Sequence, residues 1–221
     1  LLSIHMFNRS QKKTAAHLQE TPLDDRKNFQ LITATLTREE AQKEASRCLL
    51  CDEVCNICTT VCPNLAFHSY ETEPKCYGLQ KIVATNGKTE ISEDGEFVIE
   101  QKLQILHLAD WCNQCGNCDT FCPTAGKPYL DKPHLYLKRE SFEAGKDGYF
   151  FSKEKARLEA YEQGELVTLQ EEDDGYIFQN QTLQVRLNKK SFRVTAVEIR
   201  GKTNFAVSLR TAAQMSMILE G

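Results

Sequence analysis

Residues 111–124 read WCNQCGNCDTFCPT, and residues 47–64 read RCLLCDEVCNICTTVCPN. Superposed, the two stretches form an internal repeat. Cys55, Cys58 and Cys62 recur 60 residues later as Cys115, Cys118 and Cys122, and Cys51 recurs 61 residues later as Cys112 because the first copy holds one extra residue. A proline follows the last cysteine in both copies, as Pro63 and Pro123. Nine of the ten cysteines of the chain lie in these two stretches. Cysteines packed this closely along the chain pair poorly with one another, because a disulfide needs two Cα atoms held at a specific separation and orientation. A chain of 221 residues with 26% charged residues is also too long and too polar for a small secreted scaffold, so the cysteine usage points to a reducing compartment, read as the cytoplasm.

The second copy has the CxxCxxCxxxCP spacing of bacterial ferredoxins without deviation. Thiolates at i, i+3 and i+6 of a tight loop can each face a different iron of one cubane, while the amides of that loop donate to its sulfurs. The fourth cysteine is carried away by the helix that starts near the proline, and in two-cluster ferredoxins it therefore ligates the other cluster. Applied to both copies, one [4Fe-4S] cluster takes Cys51, Cys55 and Cys58 with Cys122, and the other takes Cys112, Cys115 and Cys118 with Cys62. An alternative for the first copy uses the CxxC pair Cys48 and Cys51 and leaves Cys55 or Cys58 spare. Cys76 has no spaced partner and reads as an isolated thiol. Zinc is the rival metal, but it calls for two CxxC pairs and gives no reason for a CxxxCP ending that occurs twice. His5, His17, His68, His107 and His134 are scattered without helical pairing and read as surface or core residues.

Around this repeat the composition excludes several functions. Lys plus Arg (27) against Asp plus Glu (31) leaves a net charge of −4, so there is no basic field for nucleic acid or an anionic membrane. No apolar run of about 18 residues exists, so no membrane-spanning helix is expected. There is no GxGxxG for a dinucleotide. Gly87-Lys88-Thr89 and Gly201-Lys202-Thr203 resemble the end of a P-loop, but Ile82 and Ala196 stand where its first glycine is required. The sequons Asn8-Arg9-Ser10 and Asn180-Gln181-Thr182 are accidental in a reducing compartment. Trp111, directly before Cys112, reads as an aromatic packed near the cluster. The opening LLSIHMF lacks the flanks of a signal peptide and reads as the start of a trimmed or incomplete chain.

The organisation predicted is α+β in three parts: an arm or linker over residues 1–37, a ferredoxin-like double [4Fe-4S] domain with a β-hairpin insertion over 38–140, and a small β-rich domain over 141–221. Thr37 and Glu40 in TREEAQKEASRCL form a capping box that opens a helix leading to Cys48. KIVAT, EFVIE and LQILHL within 79–108 predict two or three strands, with turns at Asn86-Gly87 and Asp94-Gly95. GYFF, GYIF, TLQVRL and SFRVTAVEI predict strands of the last part. KEKARLEAYEQG predicts a helix closed by Gly164, and SLRTAAQMSMILEG a second one with Met215 and Met217 in the core.

LTREEAQKEASRCLLC resembles the iron-sulfur segment of the glutamate synthase small subunit and of dihydropyrimidine dehydrogenase. CDEVCNICTTVCPN, followed by LQILHLADWCNQCGNCDTFCPTAGKPYLDKPHLYL, is similar to the C-terminal part of the family named for a selenate reductase subunit. The resemblance covers the chain from about residue 30 to the β-rich end, including VRLNKKSFRV, and is most specific at the cysteines. It implies an electron-transfer role through two [4Fe-4S] clusters beside a flavin. FAD and NAD(P) are then expected on a flavoprotein oxidoreductase partner or on a missing upstream domain, with a second redox subunit as the other partner. No residue reads as an acid, base or nucleophile committed to a substrate. The alternative reading is a structural or docking subunit whose metal sites stabilise the fold.

Overall fold

The computed structural model describes residues 10–48, 55–201 and 204–221. Cys51, the opening LLSIHMF, Asn8 and Arg9 of the first sequon, and Lys202 and Thr203 lie outside the described residues. The chain divides into two compact units, Leu1–Cys55 and Asn56–Gly221.

In the first unit, helix α1 spans Arg38–Ala45 and begins with the expected capping box. The Thr37 hydroxyl accepts the Glu40 N–H at 3.2 Å, and the Glu40 carboxylate accepts the Thr37 N–H at 2.8 Å, so two of the helix's orphan donors are satisfied. The preceding arm is extended and folds back once, through an isolated bridge between Glu20 and Thr33 around a single 3-10 turn at Leu23–Asp25. It returns along α1, where Glu44 accepts the Ala16 N–H at 2.8 Å and Lys13 donates to the Ser46 hydroxyl at 3.1 Å.

The second unit begins with the short helix α2 (Ile57–Val61) and strands β1 (Phe67–Glu71), β2 (Lys75–Thr85), β3 (Lys88–Ile99) and β4 (Leu103–Leu108). Helices α3 (Asn117–Thr120) and α4 (Pro128–Asp131), strand β5 (His134–Tyr136) and helix α5 (Arg139–Gly145) follow. The chain then runs through β6 (Tyr149–Ser152), β7 (Arg157–Glu162), β8 (Glu165–Glu172), β9 (Gly175–Gln179), β10 (Leu183–Asn188), β11 (Val194–Ile199) and β12 (Phe205–Ser208) into helix α6 (Arg210–Glu220).

A nine-stranded sheet has the order β1-β4-β5-β6-β7-β8-β9-β10-β11, and β12-β2-β3 form a three-stranded sheet. Strands from both sides of residue 140 therefore share each sheet. β5 is parallel to β4 and β6, and the remaining pairs are antiparallel. Alternation explains the main core. Leu158 and Ala160 of β7 face inward opposite Leu169 and Val167 of β8, and meet Leu79 and Ile82 of β2 and the buried Met215 and Met217 of α6. A smaller apolar cluster gathers Cys58, Phe67, Ile105 and Cys118.

Two expectations are corrected. KEKARLEAYEQG is not a helix: Arg157–Glu162 is strand β7, where buried Leu158 and Ala160 pair with Leu169 and Val167 of β8, a tertiary pairing that overrides the local helical preference. Gln163 (φ 51°) and Gly164 (φ 82°) form the two-residue loop of the β7–β8 hairpin, so the positive φ that would end a helix instead reverses a strand. Asp94-Gly95 is likewise not a turn. Gly78 pairs with Glu96 and Gln80 with Glu93, so these two residues bulge from β3 with Gly95 at φ 81°, whereas Asn86-Gly87 does close the β2–β3 hairpin.

Candidate metal centre

The sequence repeat is also a backbone repeat. Asn56 and Gly116 precede α2 and α3, and Cys58 and Cys118, on the first turns of these helices, are 5% and 6% exposed. Among the described residues, the helices expected to start near Pro63 and Pro123 do not form; after α2 and α3 the chain instead turns in the same way. The Leu65 N–H donates to the Cys62 carbonyl at 3.2 Å, and the Ala125 N–H to the Cys122 carbonyl at 3.2 Å. Leu65 and Ala125 both sit at φ 54°, in the left-handed region that neither side chain favours. This turn aims the next amide back at the cysteine: the Ala66 N–H donates to Cys62 Sγ at 3.3 Å and the Gly126 N–H to Cys122 Sγ at 3.2 Å.

The two copies are fastened together. Asn117 Nδ2 donates to the Val61 carbonyl at 3.5 Å, and Asn64 Nδ2 donates to the Trp111 carbonyl at 2.9 Å. Cys62 of the first copy thereby joins Cys112, Cys115 and Cys118 of the second on one narrow cavity, closed by Phe67 and Tyr129. The Gln114 N–H donates to Cys112 Sγ at 3.4 Å, with Gln114 at φ 55° and Gly116 at φ 82° turning the loop around the cavity. Burial pushes the Cys118 thiol up, against amides of Tyr129 and Asp119 that favour its thiolate. The Thr124 hydroxyl, 3.3 Å from Cys122 Sγ, leads the groups that hold the Cys122 thiol below its usual value, with the Thr124 and Gly126 amides beside it.

These features suit an iron-sulfur cubane. Four thiols on one cavity, amides aimed at sulfur and an apolar wall are the donor set and shell that such a group requires. Among the described residues no three His, Cys, Asp or Glu side chains gather as the ligands of a single ion. In a cubane each thiolate binds its own iron, so its ligands do not converge on one point.

The other expected ligands are placed as follows. Cys58 is buried in the smaller apolar cluster and Cys122 is partly buried, Cys55 ends the first compact unit, and Cys51 lies outside the described residues. Cys48 is exposed just beyond α1, and Cys76 is exposed on β2. Trp111 is 46% exposed, with its ring edge-on to His68 at 5.9 Å. Sequence reasoning missed Asn64, Asn117 and Thr124, whose roles depend on the spatial meeting of the two copies. It also passed over His107, which alternates with Ile105 on the inward face of β4.

Residues 53–125 match the sequence profile of a family described as a 4Fe-4S dicluster domain. Over 101 residues, 46% of the chain, the protein is 37% identical to "Putative oxidoreductase YgfK" of Escherichia coli K12, and equally to its namesake in Escherichia coli O157:H7. The chain matches 8% of the length of these relatives. No solved structure matches it. These matches liken residues 53–125 to a 4Fe-4S dicluster domain and the chain to part of a protein named as an oxidoreductase, a coarser result than the selenate reductase subunit. Among the described residues no helix is long and apolar enough to cross a membrane.

Proposed function

We propose that the chain is an electron-transfer module carrying two [4Fe-4S] clusters, one on Cys112, Cys115, Cys118 and Cys62 and one on Cys51, Cys55, Cys58 and Cys122. In this reading single electrons pass between a flavin and NAD(P)H oxidoreductase module and a second redox centre on a partner, in the cytoplasm, as in the selenate reductase subunit family that the sequence resembles. The cluster-bearing part is residues 38–140, preceded by the arm and followed by the β-rich part from residue 141. The observation that carries the reading is the cavity on which Cys62 meets the three cysteines of the other copy, since this crossing of copies belongs to two-cluster ferredoxins.

When bound, each cluster stores and releases one electron. The residues of the chain do the rest. The loop of Gln114 and Gly116 presents three thiolates at once, while the turns at Leu65 and Ala125 bring an amide proton to the crossing cysteine. Phe67 and Tyr129 give the cavity its apolar wall.

Anaerobic iron and sulfide analysis with electron paramagnetic resonance of the dithionite-reduced protein tests this reading. About eight irons per chain and two interacting signals are expected. Cys62→Ala should remove the same signal as Cys115→Ala and leave the other. Two zinc ions with no signal, or a Cys62→Ala protein retaining both signals, would overturn it.

A further inference from the structure

Three rings stand side by side across adjacent strands next to the cavity. Phe67 of β1 is in register with His107 of β4, which is in register with His134 of β5. The Phe67 and His107 ring centroids are 4.9 Å apart, and those of His107 and His134 are 4.9 Å apart in an edge-on arrangement. Phe67 also lines the cysteine cavity, so the His107 imidazole stands one ring away from Cys62, Cys112, Cys115 and Cys118.

His107 is 3% exposed, and neither ring nitrogen has a hydrogen-bond partner among the described residues. Nε2 of His134 is in the same condition. Buried polar atoms are normally paired, because an unmade bond leaves the desolvation cost uncompensated. If the position needed only apolar volume, leucine or phenylalanine would fill it without that cost, as Ile105 does two residues earlier. An imidazole gives the position a site that can accept a proton.

The surroundings leave His107 neutral while no additional negative charge is near. Phe67 faces it from β1, and the Pro133 carbonyl takes its backbone N–H at 2.9 Å. From β5 the titratable neighbour is His134. Beyond these, Asp147 pairs with His134 at 3.8 Å and accepts the Tyr136 hydroxyl at 2.5 Å. Burial, and then the charge of His134, hold His107 down at about 4. No carboxylate in this set pairs with His107 itself: the Asp147 carboxylate lies beyond His134 on one side and the cysteine cavity beyond Phe67 on the other.

We propose that His107 is the proton acceptor coupled to reduction of the cluster held by Cys62, Cys112, Cys115 and Cys118. This inference rests on the cluster reading above. With the cluster bound, one electron delivered to it by a reduced flavin would be matched by one proton passed from a solvent hydronium ion to a neutral His107 nitrogen, which forms an N–H bond and leaves the net charge of the pair unchanged. His134 and the exposed carboxylate of Asp147 provide the route from solvent. One added charge on the order of 10 Å away, at an effective dielectric near 20, raises the proton affinity of the imidazole roughly tenfold, so the coupling acts in the acid window just above the oxidised-state value of about 4. By reciprocity, protonation then favours reduction by the same factor, which is about 59 mV for a one-electron couple.

The test is a potentiometric titration of the iron-loaded protein, followed by electron paramagnetic resonance at several values from about pH 4 to pH 9. Iron is counted first. Far fewer than about eight irons per chain overturns the two-cluster reading, and the proton site falls with it. With full loading, one cluster is expected to fall in potential by about 40 mV between pH 4 and pH 6 and to stay level above that, while the other changes less. His107→Gln and His107→Phe, both unable to titrate, should abolish that fall with the iron content retained. A flat wild-type profile overturns the proposal while leaving the clusters in place. So does an iron-loaded His107 variant that keeps the wild-type slope, a result that a purely structural histidine would give.

Discussion

Replacing Thr124 by valine should lower the potential of one cluster and leave the other alone. The two Cys-Pro turns give their cysteines matching amide bonds, 3.3 Å from Ala66 to Cys62 and 3.2 Å from Gly126 to Cys122, so the backbone contribution is nearly equal. The side chains differ. Thr124 places its hydroxyl 3.3 Å from Cys122 Sγ, whereas Asn64 at the matching position turns away to the Trp111 carbonyl at 2.9 Å. A thiolate bound to iron has no proton, so the hydroxyl must be the donor. Its bond strengthens as the cluster gains an electron, and this increment favours reduction. A net hydrogen bond contributes about 0.5–1.5 kcal/mol. Taking about half to one kcal/mol as the redox-dependent part, the loss corresponds to a potential about 20–40 mV more negative, at 59 mV per tenfold change. Valine keeps the shape and removes the donor. In a redox titration resolved by electron paramagnetic resonance, one signal should shift downward with iron content unchanged. Two equal shifts would refute the assignment of Cys122 and Cys62 to different clusters, and an unshifted protein would refute the Thr124 hydroxyl as a redox-dependent donor.

Other perturbations probe the scaffold. Glu159 is 1% exposed. Burial would push its carboxyl up, but the Arg139 guanidinium at 2.6 Å and that of Arg157 at 3.1 Å hold it below its usual value. Its folded value being the lower one, the carboxylate stabilises the fold above the ordinary carboxylate range, and that contribution is lost as pH falls through the folded value. Glu159→Gln should therefore be less stable than wild type at pH 7 by about 3 kcal/mol, with the gap narrowing in acid; urea midpoints at both pH values check this, and an unchanged gap contradicts it. Phe142 of α5 is fully buried against the rings of Phe150 and Tyr161, and Phe142→Ala should cost about 3–5 kcal/mol in urea unfolding. Gly175 opens β9 where an added Cβ would run into the Leu187 carbonyl of β10, so Gly175→Ala should cost about 1–3 kcal/mol by the same measurement.

The parts of the fold legible in sequence are those written locally. The capping box at Thr37 and Glu40 needs only four residues, and it forms as expected. TLQVRL alternates Leu183, Val185 and Leu187 inward, a period that only a strand satisfies, and β10 buries all three. KEKARLEAYEQG failed because its local preference is helical while its pairing partner lies in β8. Only two inward residues, Leu158 and Ala160, carried the strand signal, among glutamates and lysines that favour a helix. Asp94-Gly95 carries turn chemistry, but a positive φ at glycine serves a bulge as well as a hairpin, and the partner strand decides which.

At the candidate site the same division has a chemical consequence. The i, i+3, i+6 spacing of cysteines shows which thiols share a loop, because it follows from chain length between ligands. It cannot show what donates to them. Leu65 and Ala125 adopt the same left-handed conformation although leucine and alanine have no feature in common that demands it, and Ala66 and Gly126 donate alike to sulfur although neither brings a polar side chain. The backbone turn after each Cys-Pro thus supplies equal bonds to both copies whatever the side chains are. Differences between the two sites must then arise from residues outside the cysteine pattern: Thr124 against Asn64 at the sulfur, and the buried His107 beyond Phe67 on one cavity. If two clusters built on one repeat are to hold unequal potentials, as directional transfer requires, these are the side chains through which the chain can make them unequal.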